Sequence, residues 1–385
     1  MQSLRVAFLP LVRTTFDVPL AEEMIRQARQ QLTGAGLELL EPEKPITSLE
    51  QAQKTARDLQ AQTFDLMIIF QATFADSTLV VTLTEKNNAP LLLWAIPEEW
   101  TGGRLRLNSL CGINLAGHAL TLRGQKYSYA YTAAQDSGII QKIRSLAAAG
   151  RLRRKLQTAR LGVVGEHPAG MDSCHLDERA LATLFGVQIQ RIPLQDVFER
   201  ARNIPLANLA QTRSALDTRL DNLASLEQSS LQGTLSVYHA LKLIAEEQQL
   251  DGLAVRCWPE FFTDMGCAAC GAMSMLTDGY GLSAPLPCSC EADINGTLTQ
   301  LILQWLSDTP AFGTDIVGID LEKNKVALWH CGLAPLSMAD PTSQPHGEIH
   351  SNRKVPLVMD FPLKPGKITL ARISQATGKL RLIYG

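Results

Sequence analysis

The chain has no apolar run approaching the ~20 residues that a membrane-spanning helix requires, because charges or prolines interrupt every hydrophobic stretch. A membrane partner is therefore not expected. It also lacks an excess of charge: 36 basic residues stand against 38 acidic ones, for a net charge of -2. Aromatic residues make up only 6%, and no basic patch interleaved with them gives a nucleic-acid footprint. The one basic run is Arg151-Leu152-Arg153-Arg154-Lys155, expected to be a solvated, positively charged helix end joining two domains. No basic leader with an apolar core and a small-residue cleavage site precedes the first strand-like run, so a cytoplasmic location is expected. The eight cysteines would then be reduced. A Gly-x-Gly-x-x-Gly motif after a strand, a phosphate-loop lysine and a nucleophile elbow are all missing, which leaves nucleotide binding and serine-hydrolase chemistry without support.

What is present is an ordinary globular composition. With 385 residues and 45% hydrophobic content, the chain is long enough for two or three domains with substantial cores. Short apolar runs alternate with helical patterns, as in βα units with mostly parallel sheets. Val6-Ala7-Phe8-Leu9, residues 66–70 and residues 91–94 read as strands of one doubly wound unit, with a helix at 48–62. A second unit begins at Leu161-Gly162-Val163-Val164-Gly165, continues through a helix at 177–185 closed by Gly186, and includes a central strand at 252–257 that ends at Trp258-Pro259-Glu260. From about residue 310 the pattern turns to hairpins, with strands at 316–320, 326–330, 355–361, 367–374 and 379–384. The predicted fold class is α/β: two doubly wound, Rossmann-like domains at 1–155 and 156–290, then a β-rich C-terminal domain at 291–385 that stops within a strand pattern, as an incomplete module would.

In α/β sheets ligands gather beyond the carboxyl ends of the strands. Glu260 follows such an end, Asp293 precedes a helical run near Leu298, and His330 closes the strand Val326-Ala327-Leu328-Trp329. Two carboxylates and an imidazole would suit Mn²⁺, Mg²⁺ or another oxygen-preferring cation. A structural cap for either acid, or a packed histidine, fits the same positions. The loop Gly165-Glu166-His167-Pro168-Ala169-Gly170-Met171 reads equally as a plain βα connection or as the wall of a ligand cleft. Cys267-x-x-Cys270 and Cys288-x-Cys290 offer a competing, zinc-like pattern, but the small apolar residues around the first pair favour a closely packed buried helix.

Arg256-Cys257-Trp258-Pro259-Glu260, Cys290-Glu291-Ala292-Asp293-Ile294-Asn295-Gly296 and Leu328-Trp329-His330-Cys331-Gly332-Leu333-Ala334-Pro335 follow one another in an order that resembles the L-fucose isomerase-like proteins, relatives of L-arabinose isomerase. Supporting matches are Arg13-Thr14-Thr15-Phe16-Asp17, Asn108-Ser109-Leu110-Cys111-Gly112 and Pro365-Gly366-Lys367-Ile368-Thr369-Leu370. The resemblance implies a homo-oligomeric, metal-dependent aldose–ketose isomerase with a small sugar as substrate: a pentose, a 6-deoxyhexose or a modified sugar. It implies Glu260 and Asp293 as metal ligands for Mn²⁺ or Mg²⁺ that also transfer protons, and Arg13, Trp258 and His330 as substrate-contacting residues. Family members continue past the position of Gly385 and take a further metal-binding histidine from that last segment. Among the histidines present here, His330, His346 and His350 could stand in, His330 being the best placed. A non-catalytic sugar-binding or regulatory protein on the same fold is the alternative.

Overall fold

The structure, a computed structural model, describes residues 3–385. The chain forms two compact units, Met1–Lys155 and Leu156–Gly385. The first contains β1 (Arg5–Leu11), α1 (Val18–Gly34), β2 (Glu38–Leu40), α2 (Leu49–Gln60), β3 (Leu66–Gln71), α3 (Ser77–Thr84), β4 (Leu91–Ala95), α4 (Ser109–Leu122), β5 (Ser128–Tyr131) and α5 (Gly138–Leu156). The strands form one parallel sheet in the order β2-β1-β3-β4-β5. Alternation along each strand divides the core. Phe8, Ile68, Phe70 and Trp94 pack with residues of α1 and α5, whereas Leu9, Met67, Ile69 and Leu93 pack with residues of α2, α3 and α4. Because both faces are covered, β1, β3 and β4 are near-continuous apolar runs, which is why they are legible in the sequence.

The basic run at the end of α5 is not simply a solvated face. Arg151 and Arg154 each reach the fully buried Asp65 at 2.7 Å, and the backbone N–H of Arg5 donates to the same carboxylate at 2.9 Å. Burial alone would raise the Asp65 pKa, but these three donors outweigh it and hold it below the ordinary carboxylate value.

The second unit opens with β6 (Arg160–Val164), α6 (Glu178–Phe185), β7 (Gln188–Ile192), α7 (Leu194–Arg202), α8 (Leu206–Asp217), α9 (Gln228–Glu247) and β8 (Gly252–Val255). Gly186, at φ +80°, ends α6 in the left-handed conformation that glycine adopts without steric cost. Then come α10 (Glu260–Thr263), α11 (Ala269–Thr277), β9 (Cys288–Ser289) and α12 (Ile294–Ser307). The parallel sheet runs β7-β6-β8-β9. From β6 the chain moves to β7 on one side and then crosses to β8 on the other. The strand order therefore reverses between β6 and β8, the place where an open α/β sheet leaves a crevice at its carboxyl edge.

Three antiparallel pairs complete the unit: β10 (Asp315–Asp320) with β11 (Lys325–Trp329), β12 (His346–Glu348) with β13 (Val358–Asp360), and β14 (Ala371–Ser374) with β15 (Arg381–Tyr384). β14 packs on α12, and the backbone N–H of Ile373 donates to Thr299 Oγ1 at 3.0 Å. The chain is thus an α/β protein with two parallel sheets flanked by helices, compatible with Rossmann-like domains. Among the described residues, no helix is long and apolar enough to cross a membrane.

Candidate active site

Strand β8 stops at Val255, and Glu260 begins α10, where a negative charge meets the free N–H groups of the first turn. Its Oε2 accepts a hydrogen bond from Arg256 Nε at 2.9 Å, while Arg256 Nη1 donates to the backbone carbonyl of Glu166 at 3.2 Å. Glu166 follows β6, so Arg256 spans the reversal point of the sheet and ties the loop at 165–171 to Glu260. Burial would raise the carboxyl of Glu260, but the Arg256 guanidinium overrides it and holds the group below its ordinary value. Glu260 is therefore ionised near neutral pH.

Asp293 follows β9, the strand beside β8. Its Oδ1 accepts from the backbone N–H of Gly296 at 2.9 Å and so caps α12. The structural-cap reading is therefore part of its role. Arg372 of β14 also binds it, with Nη1 on Oδ2 and Nη2 on Oδ1 at 3.2 Å. The same Nη2 reaches the carbonyl of Ser173 at 2.9 Å. Immediately before Asp293, Glu291 and Ala292 both have positive φ, 60° and 53°, in the left-handed region disfavoured for side-chain-bearing residues. This reversal carries Asp293 to the sheet edge, and the Ala292 N–H is held by the carbonyl of Val255 at 3.0 Å.

Glu291 was missed by the sequence reading as a chemical group, although it sits inside the quoted motif. Burial and the nearby Asp315 carboxylate push its pKa up, against the pull of His330. Burial lowers the His330 imidazole, but its hydrogen bond with Cys331 and the charges of Asp315 and Glu291 raise it further than burial lowers it. Nδ1 of His330 accepts from the Cys331 N–H at 2.9 Å. An acid shifted up beside a histidine shifted up is the kind of pairing found where protons are exchanged. Asp293 contributes to the same local field, so Glu291, Asp293 and His330 form one electrostatic group. Glu260 and Asp293 are each held by their own arginine, Arg256 and Arg372.

Trp258 follows the same strand as Glu260, and its ring lies under the Arg353 guanidinium at 5.3 Å. Arg13 belongs to the first unit, just past β1. Its N–H donates to Thr73 Oγ1 at 2.7 Å, and its guanidinium stacks at 5.5 Å on Phe74. That is the β1/β3 reversal point of the first sheet, the equivalent crevice position there.

As donors, two carboxylates suit a hard cation such as Mn²⁺ or Mg²⁺, so the chemistry of Glu260 and Asp293 fits the ion implied by the family resemblance. Their charges are at present answered by guanidinium groups, which a bound cation would have to displace. Among the described residues, one group of three ligand-bearing side chains gathers its atoms within 4.8 Å: Cys270, Cys331 and His350. The protein thus also contains a sulfur-rich group able to hold a metal. The sequence pairing of cysteines is not kept: Cys270 lies by Cys331 at 3.7 Å and Cys290 by Cys257 at 2.7 Å.

The model of the fucose/sulfoquinovose isomerase N-terminal domain matches residues 7–157. A sulfoquinovose isomerase of Priestia megaterium is 31% identical over 386 aligned residues, covering 100% of this chain and 85% of that protein. A sulfoquinovose isomerase of Alkalicoccus urumqiensis is 30% identical, covering 99% and 84%. One of Clostridium sp. strain MSTE9 is 29% identical, covering 100% and 85%. Likeness extending along both units at this level establishes descent rather than shared architecture alone: the chain belongs to the fucose/sulfoquinovose isomerase family and is an isomerase enzyme.

Proposed function

We propose that the protein interconverts the aldose and ketose forms of a free sugar through an ene-diol, with the sulfonated hexose sulfoquinovose as the first substrate to test and L-fucose and L-arabinose as the next. The relatives' activity supports the substrate choice. The observation that carries the reading is that Glu260 and Asp293 follow the carboxyl ends of neighbouring parallel strands. Moving a proton between C1 and C2 requires a base near C2 and an acid for the carbonyl oxygen. Glu260, kept ionised by Arg256, takes the proton, and Asp293 exchanges roles with it for the reverse direction. Glu260 and Asp293 would hold Mn²⁺ or Mg²⁺, which when bound would supply positive charge beside the oxygens of the reacting carbons. Trp258 and His330 bind the sugar, and Arg13 contributes a substrate contact to the site of a neighbouring subunit.

The division into 1–155, 156–290 and 291–385 and a homo-oligomeric assembly belong to the same proposal. The exposed apolar side chains of β10 and β15, Ile316, Ile319, Leu382, Ile383 and Tyr384 among them, support association.

The test is incubation of the purified protein with each sugar and Mn²⁺ in D₂O, followed by NMR. Ketose formation with deuterium arriving at C2 of the recovered aldose is expected. No ketose and no exchange with any of these sugars would overturn the reading, and sugar binding by calorimetry without exchange would assign the chain to the non-catalytic alternative.

A further inference from the structure

Asp293 is the more heavily engaged of the two acids. Its Oδ1 accepts from the Gly296 N–H at 2.9 Å and from Arg372 Nη2 at 3.2 Å, and its Oδ2 accepts from Arg372 Nη1. Three donors thus take all but one of the roughly four lone-pair positions of a carboxylate. A cation on the remaining one would stand beside the guanidinium, two positive partners on a single carboxylate. Glu260, in contrast, meets Arg256 through Oε2 alone. The pairing at Asp293 is built into the fold. A Cβ at Gly296 would stand 2.6 Å from Asp293 Oδ2 and 3.2 Å from Arg372 Nη1, so glycine is what leaves room for it. The backbone beside Arg372 is fixed by the Ile373 N–H on Thr299 Oγ1, while the Arg372 side chain keeps 34% of its surface in solvent and so has a path to withdraw.

We propose that Arg372 and the divalent cation compete for Asp293, and that this competition latches the loop between β6 and α6. The proposal rests on the reading of Asp293 as a metal ligand. The guanidinium that covers Asp293 also donates to the carbonyl of Ser173 at 2.9 Å, so one group holds the acid and the loop together. Two further bonds hold the far end of the same stretch. Asn295 Nδ2 donates to the carbonyl of His175 at 3.1 Å, and the Asp177 N–H donates to Gln375 Oε1 at 3.2 Å. Within the stretch, the Cys174 and His175 N–H groups close a tight turn on the carbonyls of Met171 and Asp172, at 2.9 and 3.1 Å.

No covalent step is involved: Asp293 exchanges one positive partner for another. The cation and the guanidinium repel, and the side chain that leaves Asp293 takes its bond to Ser173 away with it. The loop then keeps its ties at His175 and Asp177 and loses the one between them and β6, so the turn at 171–175 opens more often. The connection that follows Gly165 thereby becomes a movable wall of the crevice at the carboxyl edge of the sheet, coupled through Arg372 to the occupancy of Asp293.

The experiment uses the whole chain, stripped of metal with a chelator and titrated with Mn²⁺, the free ion being followed by electron paramagnetic resonance. Arg372→Met should bind Mn²⁺ about fivefold more tightly than wild type, the factor by which displacing a partly exposed ion pair weakens binding. Arg372→Lys, which keeps the charge but loses the fork that spans both oxygens, should also bind more tightly. Hydrogen exchange at the Cys174 and His175 amides should quicken in wild type on adding Mn²⁺, and should be fast in Arg372→Met without it. Unchanged or weaker Mn²⁺ binding in Arg372→Met, a gain absent from Arg372→Lys, or exchange that slows or stays constant with Mn²⁺ would each overturn the proposal. Asp293→Asn separates the latch from the reading beneath it. Equal affinity in wild type and Arg372→Met that is lost in Asp293→Asn removes the latch and leaves the metal ligand standing, whereas Mn²⁺ bound equally well without Asp293, or by no variant at all, removes both. Binding by Arg372→Met and not by wild type supports the latch. Should the variants fail to fold, the exchange measurement on wild type with and without Mn²⁺ still decides.

Discussion

Arg372 closes over Asp293 with both arms of its guanidinium, 79 residues away along the chain, while the same carboxylate caps α12 through Gly296. The two duties can be separated. Asp293→Asn keeps a good capping side chain and loses the charge-assisted bonds to the partly exposed Arg372, so its urea stability should fall by about 1 kcal/mol, whereas Asp293→Ala, which also loses the cap, should fall by about 2–3 kcal/mol. Both should lower isomerase turnover by about a hundredfold or more. Full activity in the asparagine variant would confine Asp293 to its structural duty.

Glu260 should act as the ionised partner over the whole neutral range. Because Arg256 holds its pKa down, the acid limb of kcat/KM should lie below the ordinary glutamate value. Removing that cation with Arg256→Met should move the limb toward higher pH. Glu260→Gln should reduce kcat by about 10²–10⁴ with an unchanged circular dichroism spectrum. An acid limb unmoved in the Arg256 variant would take Glu260 out of the rate-controlling protonation.

Asp65 links stability to acid. Its folded pKa lies below its unfolded one, so its stabilisation is present above about pH 3.9 and disappears as pH falls through the folded value. Asp65→Asn should cost about 3 kcal/mol near neutrality, since it removes the buried partner of Arg151 and Arg154. The gap between wild-type and variant urea midpoints should narrow as the pH is lowered past that point. A gap that stays constant with pH would mean the loss comes from packing rather than charge.

Gly150 lets α5 approach the sheet. A Cβ there would stand 1.8 Å from the Asp65 carbonyl, a backbone atom that cannot swing away. Gly150→Ala should therefore destabilise the first unit by about 3 kcal/mol, despite alanine's better helix propensity. Thermal melts that rise instead of falling would contradict this packing.

Much of the sheet architecture is legible in sequence because buried parallel strands are unbroken apolar runs, as in Leu66-Met67-Ile68-Ile69-Phe70. The edge strands are not: β7, Gln188–Ile192, is half polar, and β9 is only two residues long. Glu260, Asp293 and His330 stand out because strand ends and a familiar motif mark them. Arg256 stands inside the first motif, but its pairing with Glu260 is visible only in the folded chain; Arg372 carries no such mark, since it meets Asp293 only after β14 has packed on α12. The cysteines teach the same lesson. Spacing along the chain groups Cys267 with Cys270, whereas ligand geometry is measured through space and groups Cys270 with Cys331.

The left-handed turn at Glu291 and Ala292 also bears on how this enzyme would respond to selection for heat resistance. Neither residue is glycine, so the native turn sits on a backbone slope of roughly 1 kcal/mol per residue that surrounding contacts must oppose. A thermal screen would be drawn to glycine at position 292, where that slope vanishes. The same change would free the hinge that aims Asp293. Variants gaining heat tolerance there should lose catalytic rate in step, so that the two traits trade against each other at a single peptide unit.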